Sequence, residues 1–93
     1  MFRIIEGRGT GKTSRLMLLA KENGAIFVCE NPRAMEYKAS AYGISGIKFI
    51  SYWDFVTQDG DYDEQATYII DELEKLVQYA FKAKLLGYSL TVD

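Results

Sequence analysis

Short apolar runs alternate along this chain with segments of helical spacing. Residues 2–5 (FRII) form the first run and empty into a glycine-rich loop. Leu16, Met17, Leu18, Leu19 and Ala20 follow at a spacing that predicts a largely buried helix, closed by Gly24 as a left-handed cap. Residues 25–29 (AIFVC) are unbroken apolar positions between turn residues, the pattern of a strand covered on both faces. A second helix is predicted to open with Asn31 as N-cap and Pro32 at its first position. Met35, Ala39 and Tyr42 would share its inner face, and Gly43 would close it. Residues 47–50 (IKFI) predict a third strand. Residues 51–56 predict a short helix or turn whose large aromatics pack the end of the sheet, or alternatively offer a docking surface to a base or a partner protein. Residues 66–70 (ATYII) predict a fourth strand. Leu73, Leu76, Val77, Ala80, Phe81 and Leu85 then form one stripe of an amphipathic helix capped by Gly87, and residues 88–92 (YSLTV) a fifth strand. Strands alternating with helices predict an α/β fold, three layers α/β/α around a mostly parallel five-stranded sheet with right-handed crossovers.

The 93 residues are enough for one domain with a modest core, and 48% hydrophobic with 26% charged residues argues against disorder. A formal net charge of −2 does not point to nucleic acid, whose binders generally carry a basic surface. The chain has no histidine, which removes His-based catalysis and most zinc sites. Cys29 is its single cysteine, so an internal disulfide is excluded and a reducing cytoplasm is expected. The opening residues are too short and too charged for a signal peptide. No apolar run approaches the roughly 18–20 residues that span a bilayer, so no membrane association is expected.

The glycine-rich loop changes the picture from fold to chemistry. Gly7, Arg8, Gly9, Thr10 and Gly11 lead into Lys12, Thr13 and Ser14, between a predicted strand and a predicted helix. That order is the one used to cradle phosphates: glycines let backbone N–H groups turn inward, and the helix N-terminus adds further donors. Lys12 would reach the β- and γ-phosphates and the Thr13 hydroxyl would ligate Mg²⁺. The pattern G-x-x-x-x-G-K-[ST] places a glycine five residues before Gly11, where this chain has Glu6; its nearest glycine, Gly7, comes one residue late. A carboxylate there must point away from the phosphates or be paired, with Arg8 as one candidate partner. The bland alternative is an ordinary strand-to-helix turn that happens to hold glycines and a lysine.

Two carboxylates, Asp71 and Glu72, follow the run at 66–70. In a parallel sheet, ligand chemistry gathers outside the carboxyl ends of the strands, which would bring Asp71 near Thr13. Asp71 would then orient Mg²⁺ through a water, and Glu72 would act as general base on an attacking water. Taken without the loop, both acids would simply favour the N-terminus of the next helix. An aspartate-rich stretch, residues 57–65, mimics the start of a calcium loop. It carries Glu64 where glycine is needed and leaves Ile70 at the bidentate position, so a solvated loop is expected.

Together the loop and the hydrophobic-Asp71-Glu72 ending resemble the P-loop NTPase superfamily. They are most similar to its additional-strand, catalytic-glutamate division, which includes helicase and phage terminase ATPase cores. The resemblance spans the chain as a bare core, residues 1–93, although only the two motifs are specific. It implies ATP and Mg²⁺ as ligands, nucleotide contacts from residues 7–14, Lys12 and Glu72 as catalytic groups, Thr13 and Asp71 at the metal, and residues 88–92 as the inserted strand. It also implies a phage or mobile-element source. Arg3, Arg8, Arg15 and Arg33 are the arginines present, and none takes the place of an arginine finger. Such a finger contributes roughly 10³–10⁵ in rate. A protein partner or a second copy is therefore expected to supply one, and ATPase activity is expected to be weak alone. The alternative function is a non-catalytic protein-binding module or inhibitor on the same scaffold. A nucleoside kinase fits less well, since no arginine-bearing lid segment is evident.

Overall fold

The computed structural model describes residues 11–58, 65–82, 86, 87 and 89. Helix α1, Lys12–Asn23, starts after Gly11, whose φ of 77° is left-handed, and stops at Gly24, whose φ is 62°. Past Gly24 the Ala25 N–H bonds back to the Ala20 carbonyl at 2.9 Å, which satisfies a carbonyl the helix leaves open and turns the chain sharply into the sheet. Strand β1, Ile26–Cys29, is central. It pairs in parallel with β2, Phe49–Ser51, and with β3, Tyr68–Ile70, in the order β2-β1-β3. Val28 lies opposite Ile50 on one side and Ile70 on the other.

The unbroken apolar run of β1 is explained by burial on both faces. Phe27 and Cys29 pack with Leu16, Met17 and Ala20 of α1 and with Ala39 of α2, Pro32–Ala41. Val28 points the other way, into a cluster with Tyr52 of α3, Tyr52–Val56, and Leu76 of α4, Leu73–Phe81. Phe27, Met17 and Val28 are wholly buried, each contributing roughly 1.5–3 kcal/mol from area removed from water. Local signals set the helix starts. The Asn31 side-chain Oδ1 accepts the Ala34 N–H at 3.2 Å ahead of Pro32, and the Ser51 hydroxyl accepts the Asp54 N–H at 3.0 Å. Among the described residues no helix is long and apolar enough to cross a membrane.

The five-stranded sheet expected from the sequence is corrected to a sheet of three strands among the described residues. The expected strand at 2–5 lies outside the described residues. Leu86, Gly87 and Ser89, the described positions around the expected strand at 88–92, belong to no strand, and Leu86 is fully exposed. An apolar run becomes a strand only where a neighbour supplies its ladder hydrogen bonds, and Leu86, Gly87 and Ser89 take no part in the ladders of the described sheet. The last helix is also shorter than its apolar spacing predicts. It ends at Phe81, with Lys82 in a left-handed conformation at φ 50°, and Leu85 lies outside the described residues. Inner faces are narrower than predicted as well: Leu18 and Tyr42 are exposed. Most of the aspartate-rich stretch, residues 59–64, lies outside the described residues.

Candidate functional site

All three strands run the same way, so Cys29, Ser51 and Ile70 end at one edge of the sheet. Asp71 extends β3 by one ladder bond, its N–H donating to the Val28 carbonyl at 3.0 Å. Its own carbonyl leaves the ladder and accepts the Tyr52 hydroxyl at 2.6 Å; the Glu72 carbonyl lies 3.2 Å from the same hydroxyl. Glu72 then turns with φ 56° and ψ 67°, a left-handed conformation unfavourable for a residue with a Cβ, and α4 begins at the next residue.

The first turn of α1 comes up against these two acids. The Thr13 hydroxyl donates to Asp71 Oδ1 at 3.5 Å, and Lys12 Nζ stands 3.1 Å from Glu72 Oε1. Four of the residues singled out in the sequence, Lys12, Thr13, Asp71 and Glu72, therefore meet at the sheet edge, although 58 positions separate Thr13 from Asp71. Ser14 does not join them: its hydroxyl donates to the Gly11 carbonyl of its own turn at 2.9 Å. Gly11 sits at the start of the helix, and no side chain caps that helix or places an acid in its first turn. Gly7, Arg8, Gly9 and Thr10 lie outside the described residues, as does Glu6.

The electrostatics single out Asp71. Its side chain is only 5% exposed. Burial pushes its carboxyl above the usual value, the neighbouring Glu72 charge adds to this, and Lys12, Lys38 and the Thr13 hydrogen bond pull the other way. Burial also raises the Tyr52 phenol, with Asp71 the next contributor, so its hydroxyl remains a donor. The Cys29 thiol is pushed up to about 11, again by burial first and the Asp71 charge second.

A buried, incompletely compensated carboxylate beside a hydroxyl offers hard oxygen donors to a cation. No group of three or more acidic, histidine or cysteine side chains gathers as a metal cage among the described residues. That composition fits Mg²⁺ better than a metal held by protein alone, because Mg²⁺ keeps waters and is bound through one or two carboxylates plus substrate phosphates. Thr13 and Asp71 would hold it.

Sequence reasoning missed Tyr52. It directly follows the end of β2, at the same edge as Asp71, which is a usable signal. Its hydrogen bond to a backbone carbonyl 19 residues away is not. A hollow of about 470 Å³ lined by Ser40, Ile44, Ser45 and Phe49 lies by the start of β2, at the other edge, and takes no part in this constellation. Comparison of the chain with protein-family models, with curated proteins and with solved structures gave no match.

Proposed function

We propose that this chain binds a nucleoside triphosphate, ATP with Mg²⁺, at the edge where α1 meets the end of β3, and hydrolyses it weakly unless a partner assists. The observation that carries this is the meeting of two sequence-distant pairs, Lys12 with Glu72 at 3.1 Å and Thr13 with Asp71 at 3.5 Å. In the chain as it stands the Lys12 ammonium is satisfied by Glu72. Arriving phosphate oxygens compete for that ammonium, and transfer of Lys12 to them releases the Glu72 carboxylate to accept a proton from an attacking water. Bound Mg²⁺ would offset charge on the phosphates, with Thr13 and Asp71 as its protein oxygens. The N-terminus of α1, where the N-cap Gly11 has no side chain to offer, adds first-turn N–H groups and the positive end of its dipole. A protein partner or second copy is assigned the positive charge of an arginine finger, a position that none of the chain's arginines takes in the sequence pattern. A phage or mobile-element origin rests on the motifs alone, nucleic acid is not indicated by the net charge of −2, and the buried lone cysteine suits a reducing cytoplasm.

Calorimetry with Mg·ATP tests this on the wild type, Lys12→Ala and Glu72→Gln. Micromolar binding is expected for the wild type and Glu72→Gln and is expected to vanish in Lys12→Ala, while Glu72→Gln loses turnover. Absence of wild-type binding at millimolar nucleotide would sink the proposal. A second reading, a protein-binding module that keeps this scaffold without catalysis, is favoured by one observation: Trp53 is 61% and Phe81 75% exposed on α3 and α4. It requires biological function to survive both substitutions.

A further inference from the structure

We infer that Tyr52 is the positioning residue of the Asp71–Glu72 pair: its hydroxyl, delivered from the end of β2 across the end of β1, fixes the backbone turn that aims both carboxylates at α1. The role assigned to those carboxylates rests on the nucleotide reading above. The turn itself is a feature of the fold.

Three observations converge. The Tyr52 ring is 3% exposed, clustered with Val28 and Leu76, and its centroid stands 6.1 Å from that of Tyr79, so the hydroxyl is delivered from a packed base. That hydroxyl carries one hydrogen. The 2.6 Å bond to the Asp71 carbonyl is the main one, and the Glu72 carbonyl at 3.2 Å shares it. With the Asp71 N–H held by Val28 and its carbonyl held by Tyr52, the peptide planes on both sides of Asp71 are pinned. Glu72 is thereby kept in a left-handed conformation that its side chain disfavours.

Helix α4 adds a further tie, because the Glu72 carbonyl also accepts the Lys75 N–H at 2.9 Å. This bond fixes where the helix starts, but it does not determine the direction of the Asp71 side chain, which depends on the peptide before Glu72. Loss of the Tyr52 hydroxyl would leave the Asp71 carbonyl as an acceptor without that partner and free the turn to relax toward an ordinary conformation. The carboxylates would then swing away from Lys12 and Thr13 while the hydrophobic packing of the ring stayed in place.

Tyr52→Phe removes the hydroxyl and keeps the ring. Backbone amide hydrogen exchange on the nucleotide-free protein is the first readout, with Tyr79→Phe as control for loss of a neighbouring hydroxyl. In Tyr52→Phe the Asp71 and Lys75 amides are expected to exchange about tenfold faster, with the Phe27 amide, bonded to Lys48 on the far side of β1, unchanged. Unchanged Asp71 and Lys75 exchange would overturn the inference. So would an equal acceleration at Phe27, which would mean that the hydroxyl supports the fold as a whole. The second readout is a Mg²⁺ titration of ATP binding by calorimetry, in which the half-saturating Mg²⁺ concentration should rise about tenfold with wild-type affinity for ATP at saturating Mg²⁺. An unshifted titration in a variant with relaxed exchange would overturn the aiming of the carboxylates. If the wild type binds no Mg·ATP, the nucleotide reading fails on its own, and the exchange data still decide whether Tyr52 holds the turn.

Discussion

The two faces of the sheet are finished differently. On one face α1 and α2 seal Phe27 and Cys29 beneath Leu16, Met17, Ala20 and Ala39, all buried. On the other, α4 brings a strongly amphipathic sequence but buries only Leu76, leaving Leu73 and Phe81 exposed beside Trp53 and Val56 of α3. The first face is built for stability. The second spends the hydroxyl of its buried Tyr52 on two backbone carbonyls at the sheet edge. Apolar content alone therefore does not locate the core of a small domain; what matters is which apolar residues find a surface to cover.

The largest effect should come from cutting into the sealed face. Phe27→Ala is expected to cost roughly 3–5 kcal/mol in urea unfolding, a large share of what a domain of this size has in total. Phe81→Ser should cost less than about 0.5 kcal/mol. Comparable losses in the two variants would break the contrast between the faces. Next in size is the accessibility of Cys29. With its thiol at about 11 against an ordinary 9.0, its thiolate fraction near pH 8 is about 100-fold below that of a free cysteine. Iodoacetamide should leave the native protein unmodified and label it promptly in denaturant, as followed by mass spectrometry. Rapid native labelling would show that the sealed face opens.

The smallest expected effect concerns Asp71, where the faces meet. Its folded pKa lies above the ordinary 3.8, so the folded state binds the proton more tightly than the unfolded chain. In the window between these two values stability must fall as pH rises, and above it the ionised carboxylate is held at a net cost. Asp71→Asn should therefore raise the melting temperature at pH 7 by roughly 2–5 °C and flatten this part of the pH profile. A lower melting temperature in the variant would show that the attraction of Lys12 and the Thr13 hydrogen bond outweigh burial.

Local chemistry made parts of this molecule readable from sequence. Asn31 before Pro32, and Gly24 after Asn23, carry their conformations within a few residues, and α1, β1 and α2 follow them closely. The approach of Thr13 to Asp71 was open to inference because parallel strands must deliver their ends to one edge. The pairing of Lys12 with Glu72 was not, since the sequence suggested two groups reserved for phosphate and water. Strand count and the length of α4 failed for a common reason. Spacing reports which residues could face a neighbour, while Phe81 and Leu86 show that the neighbour must also be there. The pattern at 51–56 offers packing or a docking surface for its aromatics, and the Tyr52 ring does pack; its hydroxyl carries the information that periodicity omits.

The left-handed turn at Glu72 sets backbone preference against side-chain chemistry at a single position. Backbone geometry there favours glycine or asparagine, which adopt such a φ at little cost, whereas glutamate gives up about 1–2 kcal/mol. At Glu72 that strain falls on the residue whose carboxylate reaches Lys12 at 3.1 Å, so a glycine there would relax the backbone and remove the ion pair in one step.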